Sequence, residues 1–436
     1  MKVYLNGTAI LVSLVGFSGS ALGADVESDE GVVEEIVVTG QVSNFGATKS
    51  SIPILETARS VTVIDAAEFL ERGSLTLDDT LNYTAGVVGD TFGFSTRGDF
   101  PRVRGLDVPE YLDNVQVLFG NYNNTRSDIY ALEQVEVLKG PASVLYGQGS
   151  PGGILNTVSK RAGRENLGRE IVVDYGTHGR KQIAADFGFD LSGNGNLTGR
   201  LVALYRDSGT QIDHVDDNAL VLAPSLTFQN DQTTITALVN YTDRSSDTAH
   251  QFLPLSVTGC GSDKVQISEA NVCAGASGRE VDASLYVGQP DFNTYDTESI
   301  SATVFVEQVI SDVFTFEATA RYRDNDADYK QTWVAFLGDG NSRTLPNGTA
   351  VSRSWYDAPA SSEQFAVDAR LRAMFETGPF THEILAGVNY QDVETLSNAA
   401  YLYGLPTSFN LLSPDYSNAE VPAGSVFDAA RSRRVG

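Results

Sequence analysis

From about Arg164 onward, apolar and polar residues alternate with period two in runs of about ten residues, divided by Gly, Asn and Asp. The clearest run sets Phe314, Phe316, Ala318, Ala320 and Tyr322 on one face of an extended chain and Thr315, Glu317, Thr319, Arg321 and Arg323 on the other. A second sets Phe365, Val367, Ala369, Leu371 and Phe375 against Gln364, Asp368, Arg370 and Arg372. Similar runs occur around Ile171 to Tyr175, Leu197 to Arg206, Leu220 to Phe228, Ile235 to Tyr241, Ile300 to Val306 and Ile384 to Tyr390. All of these predict strands. Short turns such as Gln229-Asn230-Asp231-Gln232 alternate with long polar connections at about Ser245 to Thr297 and Ala335 to Ser361. A soluble β-sandwich would alternate too, so the period by itself leaves two architectures open. Strands of about ten residues and the alternation of short with long connections favour a membrane barrel.

Between about Pro53 and Arg161 the texture is different, with short elements of both types and small turns, as in a compact α+β domain. Ser60 to Ile64 reads as a strand. Asp65 is placed as an N-cap with Glu68 three residues later, a capping box, and Gly73 suits the helix stop. A second short helix is predicted over Leu77 to Tyr83, further strands at Val115 to Leu118, Gln134 to Leu138 and Ile154 to Ser159, and a helical turn at Ala142 to Tyr146.

The first residues add an export signal. Lys2 precedes an apolar run from Ala9 to Phe17, and small residues follow up to Ala24. The run is shorter than the roughly 20 residues of a membrane-spanning helix, and Ala21 and Gly23 supply a cleavage pattern, so residues 1–24 read as a signal peptide. Export also favours the barrel. An acidic stretch, Asp25 to Glu30, leads into the β-prone island Glu34-Glu35-Ile36-Val37-Val38-Thr39-Gly40, which could add as a strand to the sheet edge of another protein.

Charge and cysteine usage narrow the classes further. With 30 basic and 56 acidic residues the net charge is -26, and no Lys/Arg cluster suggests nucleic-acid binding. Cys260 and Cys273, in a Gly- and Ser-rich segment of an exported chain, predict a disulfide rather than a metal site. His178, His214, His250 and His382 lie far apart, without the paired spacing of a zinc site. No His-centred or paired-carboxylate constellation suggests an enzyme.

The most specific residues are Tyr111-Leu112-Asp113-Asn114-Val115, the run Leu132-Glu133-Gln134-Val135-Glu136-Val137-Leu138-Lys139-Gly140-Pro141-Ala142-Ser143-Val144-Leu145-Tyr146-Gly147, and Pro151-Gly152-Gly153 through Lys160. Gly147, Gly149 and Gly152 also fit a dinucleotide fingerprint, but that fingerprint needs a strand before it and a helix after, the reverse of the order predicted here. The whole set resembles the plug domain of TonB-dependent receptors in the siderophore-receptor branch. Arg104-Gly105-Leu106 resembles the family's Arg-Gly-Phe, and Glu34 to Gly40 resembles its TonB box.

The resemblance implies an α+β plug domain inside an antiparallel transmembrane β-barrel. Residues 25–52 would form a periplasmic tail with the TonB box at 34–40, residues 53–162 the plug, and residues 163–436 a partial barrel. Glu35, Ile36, Val37, Val38 and Thr39 would engage TonB, which works with ExbB and ExbD. Outward plug loops would contact the ligand through Phe92, Phe94, Phe119 and Tyr122. Arg104 and Lys139 would form a charge lock with barrel glutamates; the alternative is a pair of solvated surface charges. The implied activity is TonB-dependent uptake of ferric siderophores by a monomer in the outer membrane of a Gram-negative bacterium. No resident cofactor is expected, since iron arrives as a chelate. Cobalamin, haem or oligosaccharide are the alternative cargoes, and an adhesive surface barrel is the alternative from another class. The family closes about 22 strands, whereas about eight to ten are predicted here, so the barrel is expected to be incomplete and the chain a fragment or truncated product.

Overall fold

The computed structural model describes residues 46–49, 59–117, 122–147, 149–249, 252–253, 281–335, 350–417 and 421–435. The expected signal peptide, the Glu35, Ile36, Val37, Val38 and Thr39 segment, Phe119, Cys260 and Cys273 lie outside the described residues.

The N-terminal domain is built on a five-stranded sheet. Its strands are β1 (Ser60–Asp65), β5 (Glu110–Leu112), β6 (Val115–Gln116), β7 (Leu132–Lys139) and β8 (Gly153–Ser159), in the spatial order β1-β7-β8-β5-β6. Only the β5/β8 pair is parallel. Three two-residue strands, β2 (Val87–Val88), β3 (Arg102–Val103) and β4 (Leu106–Asp107), form a smaller sheet. Helix α1 (Ala66–Glu71) begins where expected, with Asp65 Oδ1 accepting from the Glu68 N–H at 2.8 Å. Glu68 pairs with Arg72 one turn on. A complete capping box occurs in α2 (Leu77–Thr80), between Thr76 and Asp79. That helix stops short of the predicted Tyr83, which itself adopts a left-handed φ of 68°. A third short helix, α3, spans Ser143–Tyr146. The core is Ile64, Phe69, Leu77, Leu81, Val135, Val137 and Leu155.

The remainder is one antiparallel wall made of β9 (Arg169–Tyr175), β10 (Lys181–Asp190), β11 (Leu197–Asp207), β12 (Asp217–Gln229), β13 (Thr233–Ser246), β14 (Thr294–Val309), β15 (Phe314–Val334), β16 (Ala350–Asp357), β17 (Ala360–Thr377) and β18 (Phe380–Asn410). Strands β16 and β17 lie end to end between the same neighbours, β15 and β18. A short helix, α4 (Gly424–Ala430), and β19 (Arg431–Val435) follow, with β19 on the outer edge of β18. Among the described residues β9 pairs with β10 alone, so the wall is open there.

The face that each residue set takes decides between the two architectures left open above. Toward the plug point Thr227, Thr236, Thr303, Arg321, Arg323, Asp368 and Arg370, all buried. Away from it point Leu226, Val239, Ile300, Val304, Phe314, Tyr322 and Phe365, all exposed. A soluble sandwich buries its apolar face. Here the apolar face is outermost, the arrangement a lipid-facing barrel wall requires.

One expected connection is corrected. Within Ala335 to Ser361, predicted as a polar loop, lies strand β16. Val351 packs with Val287 and Phe409, and Trp355 with Phe292 and Phe427, while Ser352 and Ser354 are buried as well. With both faces covered, no alternation marks the strand. Several strands also outrun their apolar runs: β15 has 21 residues and β18 has 31, where a tilted strand needs about 9–11 to cross the hydrocarbon. The extensions carry acidic side chains on their outer face. Asp243 lies opposite Glu298, Glu298 opposite Asp326, Asp296 opposite Asp328, and Asp324 opposite Glu363.

If the outer face meets lipid, Val239→Arg, between Ala237 and Tyr241, should destabilise the folded wall by about 2–4 kcal/mol, with a lesser effect for arginine placed nearer either end of the apolar band. Denaturant titration of the full-length protein in vesicles measures this. Equal tolerance at all depths would refute the assignment.

Candidate functional site: the plug and its seat on the wall

The motif Tyr111 to Val115 is a hairpin turn. Asp113 and Asn114 have φ of 52° and 68°, both left-handed, as a two-residue type I′ turn demands and as Asn and Asp tolerate. The turn exposes side-chain acceptors to the interior. Asn156 Oδ1 receives the Asn114 N–H at 2.9 Å, and Asn114 Oδ1 accepts from the Tyr146 hydroxyl at 2.6 Å. Asn156 Nδ2 donates to Glu136 Oε2 at 2.7 Å, and Gln134 Nε2 to Glu136 Oε1 at 2.7 Å. Burial pushes the Glu136 carboxyl up to about 7 despite these hydrogen bonds. The diagnostic residues therefore form one buried polar network that fixes how β5, β7, β8 and α3 meet.

The same residues attach the plug to the wall. Asp113, fully buried, accepts from the Ser159 N–H and hydroxyl and from Arg321 Nη2 of β15 at 2.7 Å. Arg321 also donates to the Leu112 carbonyl at 2.8 Å and to Thr303 Oγ1 at 2.9 Å. Asp128 pairs with Arg206 at 2.8 Å, while Asp217 bridges Arg206 and Arg244. Lys160 and Arg200 share Asp186 at 3.0 and 2.7 Å, and Arg200 reaches Glu133 at 3.1 Å. Lys49 pairs with Asp368 at 2.6 Å, beside the Arg370–Glu317–Arg372 chain of the wall. An apolar contact, Tyr130 and Ala131 against Val202, Leu204, Val221 and Leu238, lies among these ions. Period-two alternation had put Glu317, Arg321, Asp368, Arg370 and Arg372 on the polar face; their plug partners are scattered in sequence and carried no local signal.

Two of the residues expected to face a ligand, Phe94 and Tyr122, lie against the wall beside its long connections. Phe94 packs in a cluster with Val215, Ala249, Tyr286 and Tyr416. Phe92 is exposed, edge-on to Phe100 at 5.5 Å and beneath Arg102. Tyr122 lies against Tyr329 of the wall at 5.0 Å, with the Arg97 guanidinium 4.3 Å above its ring. Arg97, which sequence reading missed, also donates to the Tyr329 hydroxyl and to Gln331 Oε1, while its buried Nε has no hydrogen-bond partner among the described residues. Arg97, Tyr122, Tyr295, Arg126, Asp99 and Glu110 line a cavity of about 150 Å³. Pockets that enclose drug-sized molecules run to about 300–1,000 Å³, so this one is too small for a large chelate.

In and beside that cavity the plug holds an excess of acid. Asp99 pairs with Arg126 (Nε to Oδ2, 3.0 Å), and Asp78 and Glu110 lie within electrostatic reach of the same pair. Burial, reinforced by Asp99, pushes Asp78 up to about 9 and Glu110 up to about 8. Elsewhere, Arg104 and Lys139 sit beside each other, the Arg104 side chain reaching over Gly140. Burial, followed by repulsion from Arg104, lowers the Lys139 pKa. Among the described residues neither makes an ion pair.

A domain seated by ion pairs in an inside-out antiparallel wall defines a class of fold, and comparison with known proteins shows what it is similar to. Residues 53–154 match the family described as TonB-dependent Receptor Plug Domain. The chain is 26% identical over 400 residues to the "Ferrioxamine B receptor" of Salmonella typhimurium, covering 90% of this chain and 54% of that receptor. It is 26% identical over 399 residues to the "Ferrichrome outer membrane transporter/phage receptor" of Escherichia coli K12, covering 87% and 51%. The solved open form of the ferric-catecholate import receptor Fiu from E. coli K12 superposes with a TM-score of 0.72 at 23% identity, covering 85% of this chain and 54% of Fiu. The siderophore receptor PiuA of Acinetobacter baumannii gives 0.69 at 23%, covering 88% and 53%. Residues 53–154 thus match a TonB-dependent receptor plug domain, and the chain as a whole is similar to outer-membrane siderophore receptors. It spans about half the length of the relatives it matches.

Two outcomes test this reading of the site. Arg321→Met leaves Asp113 buried without its cation and should cost about 3–5 kcal/mol in denaturant unfolding of the plug, with Asp113→Asn/Arg321→Met restoring part of it. Because the folded plug keeps protons on Asp78 and Glu110 that the unfolded chain releases at about pH 4, their contribution is intact below that pH and is lost as pH rises through about 8 to 9. Unfolding measured across that range should show stability falling, and Asp78→Asn with Glu110→Gln should flatten the fall.

Proposed function

We propose that this chain supplies the plug and part of the wall of an outer-membrane receptor that takes up ferric siderophores with energy delivered through TonB. The observation that carries the reading is a cluster of aromatic and cationic plug side chains, Phe94, Tyr122 and the buried Arg97, packed against Tyr286 and Tyr329 beside the long connections of a wall whose outer face is apolar. Relatives named as ferrioxamine, ferrichrome and catecholate receptors support the class of cargo. Aromatic rings contact the organic shell of a chelate, and a guanidinium complements its anionic oxygens without competing for the metal. The ligand sits above the Tyr122–Arg97 pair rather than in the small cavity below it. Binding there favours one plug state, and that preference is what exposes the Glu35 to Thr39 segment to TonB. Arg104 and Lys139 remain as the plug's positive face toward acidic wall residues, and Cys260 and Cys273 as a disulfide in a long connection.

The test is uptake of radiolabelled iron by cells carrying the full-length receptor, with ferric hydroxamate, catecholate and carboxylate siderophores presented separately. One class should be imported. Arg97→Ala and Tyr122→Ala should each weaken its binding about tenfold, near 1.4 kcal/mol, and deletion of residues 34–40 should abolish uptake while leaving binding intact. Binding of haem, cobalamin or an oligosaccharide in place of all three would overturn the choice of cargo.

A further inference from the structure

Gly46 to Lys49 is a tight turn, closed by the Lys49 N–H donating to the Gly46 carbonyl at 3.0 Å, and it lies six residues beyond the candidate TonB box. All four residues are buried between plug and wall. On the plug side, the Ala47 N–H donates to Glu136 Oε2 at 2.5 Å and the Ala47 carbonyl accepts from the Tyr146 hydroxyl at 2.9 Å. Lys49 Nζ donates to the Leu145 carbonyl at 3.0 Å and lies 4.2 Å from the centre of the Tyr146 ring. On the wall side, the same ammonium reaches Asp368 Oδ2 at 2.6 Å. Lys49 holds a left-handed φ of 52°, a conformation that costs a non-glycine residue free energy and persists only while its surroundings impose it.

What sets this attachment apart is what each side keeps when the turn leaves. Asp368 retains Arg370 at 3.1 Å, and Arg370 and Arg372 both pair with Glu317, so the wall cluster of two cations and two anions is balanced without Lys49. Glu136 retains Asn156 and Gln134. Lys49 itself would pass from a buried site into water. Separating Asp113 from Arg321, in contrast, strands a buried guanidinium. We propose that Lys49 and Asp368 form a release clasp, an ion pair that pins the base of the N-terminal tail to the wall and opens before tension on the tail reaches the plug sheet. The proposal rests on the TonB-driven reading given above, and it adds two positioning residues to it.

Hydrogen exchange of the full-length receptor in detergent tests the clasp without TonB. Lys49→Met and Asp368→Asn should each raise the exchange rate of the Ala47 amide at least tenfold, while the β7 and β8 amides keep their protection, which also shows that the variants fold. The exchanged pair, Lys49→Asp with Asp368→Lys, should return the rate toward wild type. When single receptors in a bilayer are pulled from the N-terminus, the first rupture should vanish in Lys49→Met and later ruptures keep their force. Unchanged Ala47 exchange, or an unchanged first rupture, overturns the clasp. Failure of the TonB reading is seen separately, as uptake that survives deletion of residues 34–40.

Discussion

A sheet that turns its apolar side to lipid has to present its polar side to something, and every charge on that side must find a partner or remain in water. The rest of this structure follows from that requirement. The wall's inner face carries Arg200, Arg206, Arg321 and Asp368, and the plug and the base of its tail meet them with Glu133, Asp128, Asp113 and Lys49. Such pairs contribute little net stability over apolar packing, because desolvation offsets the Coulomb attraction. They do impose a penalty on any other seating, since a shifted plug would bury unmatched ions. The ionic interface thus specifies position more than it adds strength.

That distinction matters for a domain that, on the function proposed above, has to be both fixed and movable. Contacts made through Asp113 are shared among the hairpin turn, β8 and β15, so they fail together. Contacts at the base of the tail run to Glu136, Tyr146 and Asp368, each of which keeps another partner. The plug is therefore held by attachments of two kinds, and their difference lies in whether the groups left behind can satisfy one another.

Much of this was legible in the sequence, for identifiable reasons. Alternation through Phe314 to Arg323 and Gln364 to Arg372 reports side-chain direction directly, because period two is a property of the strand itself. The Asp65 cap is equally local. Strand β16 was missed because Val351, Trp355 and the small serines between them are all buried, and a strand covered on both sides has no polar face to alternate with. The far ends of β15 and β18 were missed because alternation of hydrophobicity ends at the lipid boundary while backbone pairing continues. The seat of Arg321 on Asp113 and of Asp368 on Lys49 spans separations of 208 and 319 residues, which no local pattern records. Arg97 stood unremarked because a single arginine before a glycine is ordinary in sequence; its position over Tyr122 is what distinguishes it.

The strand extensions have one more consequence. Beyond the lipid boundary, carboxylates oppose carboxylates across β13, β14, β15 and β17, a pairing that works against the sheet. These groups are exposed or half-exposed, so dissolved ions screen their repulsion over about 8 Å at physiological ionic strength, whereas the buried pairs between plug and wall feel the solution hardly at all. The wall accordingly has an outer edge that firms as the medium grows saltier and a seat indifferent to it. A change in salinity would therefore alter how firmly the strand ends are held without loosening the seat of the plug.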